Sequence, residues 1–101
     1  MYKTMTLEEL SEELKTETDQ EKRTEIRMEA IDRISDEILS DVTELVASIE
    51  AKPETTKGHY GDYLSLITSY QGIFRPAVYL ALKKAGANPE GLEGVRMILS
   101  Q

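Results

Sequence analysis

Residues 60–85 read YGDYLSLITSYQGIFRPAVYLALKKA, the longest nearly uncharged run of the chain, and they hold most of its aromatic residues. Advancing by the 100° per residue of an α-helix puts Tyr60, Tyr63, Ile67, Tyr70, Phe74, Ala77, Val78, Ala81 and Ala85 on one broad face. A strand needs alternation with a period of two, and residues 64–68 keep that for only a few positions. So wide an apolar face predicts a central helix that touches two neighbours. Two residues disturb it. Gly72 is a poor helix former, and Pro76 has no N–H for the carbonyl of residue 72. The stripe stays in phase across both, which predicts one helix kinked between Gly72 and Pro76. The competing arrangement is two helices, the second carrying Pro76 in its first turn, where a missing N–H costs nothing.

Outward from this run, the helix ends are marked by local chemistry. Lys83 and Lys84 suit the negative end of the helix dipole, and Gly86 suits a left-handed closing residue. Asn88, Pro89 and Glu90 restart a helix as cap, first residue and first-turn acid. That last helix points Leu92, Val95, Met97, Ile98 and Leu99 at the core. Gly91 and Gly94, three apart in its first turn, predict close backbone packing. Upstream, KPETTKG at residues 52–58 is the clearest linker, since Pro53 blocks helix continuation and Gly58 suits a turn. A link this short predicts an antiparallel hairpin of the helices on either side.

The helix before the linker runs from about Gln20 to Ala51. Ile31, Ile34, Ile38, Val42, Leu45 and Ile49 recur every 3.6 residues on average, and Ile26, Ala30, Leu39 and Val46 widen the stripe. The strict 3.5 repeat of a long coiled coil fails at Asp41, so this is a bundle helix. Thr6 and Glu9 form a capping box that opens a short helix from Leu7 to about Lys15, behind a tail of residues 1–5. Its stripe of Leu7, Leu10 and Leu14 is too narrow to stand alone. Residues 16–24 carry no apolar side chain, which predicts a turn capped by Thr18 or Asp19, although no Gly or Pro forbids a continuous helix. The expected fold is therefore all-α: a single domain over residues 1–101, about four helices, built on that hairpin.

The charge is uneven. Residues 1–56 hold 16 acidic and 7 basic side chains, and residues 57–101 hold 3 and 5, for a net charge of −7. A balance this acidic argues against direct nucleic-acid binding and against anionic membranes; an acidic half can attract a basic partner, but its ordinary reading is a solvated helix surface. No run approaches the roughly 18 apolar residues of a membrane span, and no apolar leader opens the sequence. The absence of cysteine removes thiolate chemistry and fits a reducing compartment. A cytoplasmic protein is expected.

Chemistry-bearing residues are few. His59, Tyr60 and Asp62 stand together at the start of the central helix, where free N–H groups favour anions. His59 and Asp62 could in principle work as an acid–base pair, but no nucleophile is placed beside them. The ordinary reading makes Asp62 a first-turn acid and His59 an exposed loop residue. Metal binding is not expected, because a lone His leaves only carboxylates, and Glu29, Asp32 and Asp36 sit at spacings usual for surface ion pairs. No cofactor is expected. On the far side of the central helix, Tyr79, Arg75 and Leu82 form a second candidate, since an exposed Tyr beside an Arg is enriched in binding hot spots. The sequence predicts a small non-enzymatic interaction protein that binds a protein partner or a second copy of itself. The alternatives are an acidic mimic of nucleic acid that occupies a basic protein, and a ligand-binding or catalytic bundle using His59 and Asp62.

Overall fold

The computed structural model describes residues 2–101, which fold as an all-α bundle with no strand among them. The helices are α1 (Leu7–Thr16), α2 (Gln20–Glu50), α3 (Tyr60–Thr68), α4 (Phe74–Lys84) and α5 (Pro89–Leu99), with 3-10 turns at Tyr2–Thr4 and Lys57–His59. At 31 residues, α2 is about 46 Å long. That is nearly the whole 47 Å long dimension of the molecule. The other helices are a third of that length and divide it between them. α1 covers the first half of α2, α4 packs along α2, and α3 pairs mainly with α5. The radius of gyration is accordingly 15.0 Å, against about 13 Å for an ordinary domain of this length.

The helix ends follow the sequence closely. The Thr6 hydroxyl accepts the N–H of Glu9 at 3.1 Å, and the Glu9 carboxylate accepts that of Thr6 at 2.9 Å. These bonds to Thr6 hold the Glu9 carboxyl below its ordinary pKa. Asp19 caps α2 by accepting from Glu21, and Asn88 caps α5 by accepting from Glu90, with Pro89 in the first position. Between α1 and α2 the chain does turn, and the Arg23 guanidinium collects the carbonyls of Leu14 and Glu17 there. Gly86, at φ +83°, closes α4 with bonds from Ala87 N–H to the Leu82 carbonyl and from Gly86 N–H to the Lys83 carbonyl. That pair of bonds is the Schellman pattern. The expected tail is partly built: Arg33 donates to the carbonyls of Tyr2, Lys3 and Met5 and fastens their turn to α2. Met1, the first residue of that tail, lies outside the described residues.

The central helix is broken rather than kinked. α3 ends at Thr68 and α4 begins at Phe74, which makes five helices instead of about four. Gly72 takes φ +58°, a left-handed conformation that no α-helix accommodates. Pro76 falls in the first turn of α4, where its missing N–H is harmless. Arg75 compensates the break by donating to the carbonyls of Tyr70 at 2.6 Å and Thr68 at 3.3 Å. Away from the break, Tyr63, Ile67, Ala77, Val78 and Ala81 stay on the expected face because both segments meet the same core, so phase alone did not imply continuity. The break also changes the pairing: α4, not α3, is the main partner of α2.

The core lies at the Glu50 end. Val42, Val46 and Ile49 of α2 meet Tyr63 and Ile67 of α3, Val78 and Leu82 of α4, and Leu92 and Val95 of α5. The Tyr63 hydroxyl donates to the Glu50 carboxylate, which also accepts the Asn88 N–H. Burial, and then the bond to Glu50, push the Tyr63 phenol above its ordinary pKa. The two α5 glycines do mark close packing. A methyl on Gly91 would overlap the carbonyl oxygen of Gly58, and one on Gly94 would press on the Tyr60 ring. Three expected core residues of α5, Met97, Ile98 and Leu99, are instead exposed; Met97 and Leu99 line only shallow hollows with Tyr60 and Tyr79.

Candidate functional site

Towards the other end of α2 the bundle leaves an apolar groove of about 730 Å³. Its construction follows from the helix lengths. α1 brings Leu7, Leu10 and Leu14 to one wall, and α2 supplies Ile26, Ala30, Ile34 and Ile38. The break between α3 and α4 brings Tyr70, Ile73 and Phe74 to the opposite wall. A continuous helix would have carried Tyr70 and Phe74 along its core face. The break turns them outward, and Tyr70 and Phe74 remain 41% and 50% exposed. Both had been placed on the buried face by the helical phase. The groove's charged residues, Arg27 and Glu37, both come from α2, on which they stand about 15 Å apart.

The polar corner at the start of α3 is assembled differently from the expectation. His59 is buried, not exposed, and takes the left-handed φ of +62°. Gly58 just before it is pressed against Gly91 of α5, and this contact draws the 3-10 turn into the core. The His59 Nδ1 lies 3.8 Å from the Asp62 carboxylate, too far for a hydrogen bond, and has no hydrogen-bond partner among the described residues. Asp62 is a first-turn acid of α3, with Lys52 at 4.0 Å. Tyr60 lies over Gly94 and lines a shallow hollow with Lys57, Glu90 and Met97. The three residues are neighbours, as their spacing requires.

Tyr79, Arg75 and Leu82 are not one surface. Leu82 is fully buried in the core, because it stands one helical turn after Val78 and widens the same buried face of α4. Tyr79 is half-buried and shares a small hollow of about 340 Å³ with Arg75, Arg96 and Leu99. The Arg75 guanidinium is exposed, yet its N–H groups are engaged at the break. Of the acidic residues weighed on α2, Glu29 pairs with Arg33 at 3.2 Å. Asp32 and Asp36 both accept from Lys84, at 2.7 and 2.8 Å, and the buried Ser35 hydroxyl meets the same ammonium at 2.8 Å. The bonds to Asp32 and Asp36 raise the Lys84 pKa and fasten the end of α4 to α2.

No protein-family model, curated protein or solved structure matches this chain. No helix among the described residues is long and apolar enough to cross a membrane. The feature of the molecule that bears on function is the groove. Its sequence signal was indirect: Ala30, Ile34 and Ile38 belong to the apolar stripe of α2, and nothing local to them shows that they stay only partly buried.

Proposed function

We propose that this protein acts by binding a protein partner, and that the groove between α1, α2 and the α3–α4 break receives it. The observation that carries the reading is the groove itself, about 730 Å³ of largely apolar space with Tyr70 and Phe74 standing exposed on its rim. Exposed apolar surface framed by polar residues marks interaction sites in soluble domains. A non-enzymatic, cytoplasmic protein is part of the proposal, on the strength of the cysteine-free composition and the lack of a nucleophile in the His59–Asp62 corner. A second copy of the chain is a partner that the same groove would serve.

The test compares the wild type with a Tyr70→Asp/Phe74→Asp variant, which changes two exposed residues and leaves the core untouched. Both are immobilised, exposed to source lysate at low and moderate salt, and examined by sedimentation. A partner retained at both salts, or a dimer, that is lost only with the rim variant supports the reading. Equal retention by both proteins sinks it. A basic protein held only at low salt, and held by both, would favour the acidic-mimic alternative, since pure charge attraction is screened by salt.

A further inference from the structure

We infer that the occupant of this groove is an amphipathic helix whose apolar stripe is followed by basic residues; the inference rests on the groove being a binding site. Shape is the first argument. Along α2 the groove reaches from Ile26 to Ile38, about 18 Å or a little over three helical turns. Two of its walls are helices, and on the third, the turn of residues 69–73, the Tyr70 N–H and carbonyl are taken by Ile67 and Arg75, so no strand edge is offered to an extended peptide among the described residues. Recognition must then run through side chains, as when a helix lays leucines at i, i+4 and i+7 into a groove.

Charge is the second argument. Glu37 lines the groove, and Asp41 and Glu44 continue the same edge of α2 at i+4 and i+7. All three carboxylates are exposed, and none takes part in an ion pair or side-chain hydrogen bond among the described residues. The contrast with Asp32 and Asp36 is direct, because Lys84 neutralises those two. Arg27 marks the opposite end of the groove, also without an ion pair among the described residues. An ordinary helix carries acids in its first turn and bases in its last, as its dipole favours. Laid with its start over Arg27 and its end over Glu37, Asp41 and Glu44, such a helix meets an opposite charge at each end. It would then run in the same direction as α2.

The test uses three fluorescent 14-residue helical peptides with the wild-type chain and two variants. The first peptide has a leucine stripe, acids in the first turn and lysines in the last. The second has the same stripe with the charges exchanged end for end. The third keeps the charges of the first and replaces the leucines by serine. The variants are Tyr70→Asp/Phe74→Asp and Glu37→Lys/Asp41→Lys/Glu44→Lys. Binding is read by fluorescence anisotropy, and circular dichroism checks that each variant is folded. The first peptide is expected to bind the wild type about tenfold more tightly than the second, a preference that charge complementarity supplies. The triple-lysine variant reverses the order, the rim variant binds neither, and the serine peptide does not bind. If the first two peptides bind equally and the rim variant loses both, the groove stands and the cationic helix falls. If the serine peptide binds like the first, and the rim variant like the wild type, both readings fall together. Absence of binding by every peptide overturns the helical occupant alone, and the lysate comparison then decides the groove.

Discussion

At its Glu50 end, α2 is enclosed by three other helices, and at its Gln20 end it is not. The closed end brings α3, α4 and α5 together so tightly that two glycines, Gly58 and Gly91, pack backbone against backbone. The open end has α1 and the start of α4, held by caps and by arginines bonded to carbonyls, with a groove between them. The two left-handed glycines next to the halves of the broken helix repeat the difference. Gly58 is buried with no room for a methyl, whereas Gly72 has nothing within 4 Å of where a methyl would stand. The largest cluster of core contacts thus lies at one end of the long helix and the exposed apolar rim of Tyr70 and Phe74 towards the other, where Leu10 and Ile26 alone are fully buried beside the groove among its lining residues from α1 and α2. A surface that must exchange water for a partner can be left open only where stability does not depend on filling it.

The largest effect expected is at the closed end. Gly91→Ala puts a methyl into the Gly58 carbonyl, where only backbone can move aside. It should cost more than about 4 kcal/mol or abolish the fold. Gly72→Ala, left-handed but in open space, should cost about 1–2 kcal/mol. Urea denaturation of the pair tests the comparison directly, and similar losses would mean that the two ends are equally constrained. Next in size is a pair of truncations within α4. Leu82→Ala removes a fully buried side chain and should cost about 2–5 kcal/mol. Phe74→Ala trims a half-exposed rim residue and should cost less than about 1 kcal/mol. Binding, not stability, should register the second change.

A smaller effect is expected at Tyr63. Tyr63→Phe keeps the ring in the core and removes the hydroxyl that donates to Glu50, a loss of about 1 kcal/mol at neutral pH. Its pH dependence is more telling. The folded phenol has a pKa above its unfolded value of 10.0, so its contribution is complete below that value and lost as pH rises through the folded pKa. The stability difference between wild type and Tyr63→Phe should therefore shrink above pH 10. A constant difference would show that the hydroxyl is not held as the closed end requires.

How much of this was legible in the sequence depends on whether the information was local. Caps, closing glycine and restart proline act within four residues, and Thr6, Asp19, Gly86 and Asn88 all sit where the chain announces them. The all-α class followed from periodicity. The break at Gly72 was misjudged because periodicity records which side chains face the core, and two separate helices facing one core keep a common phase. His59 was misplaced because its burial comes from Gly91, 32 positions away. The groove was missed for the same reason: three distant segments enclose it, and an apolar stripe does not say whether anything covers it.

The smallest effect expected belongs to the open end and asks whether α1 is held there by local chemistry. The Thr6–Glu9 box is exposed on both sides, so its contribution should be local and tied to the Glu9 charge. Thr6→Ala should cost about 1 kcal/mol at neutral pH, as cap removal ordinarily does. The folded Glu9 carboxyl has a pKa below its unfolded value of 4.5. The stabilisation it gives is therefore present above that value and lost as pH falls through the folded pKa. Thr6→Ala keeps the backbone N–H that donates to the Glu9 carboxylate, so the pH dependence is read on Glu9→Ala, whose gap from the wild type should narrow from pH 6 to pH 3, measured by urea midpoints. Other carboxylates titrate in the same range, but they are common to both proteins and cancel in the difference. Hydrogen exchange locates the effect: the α1 amides should exchange faster in either variant, while those of α2 near Val46 keep their rates. If both ends speed up together, α1 and the closed core unfold as one unit, and the contrast between the two ends of α2 is one of shape and not of stability.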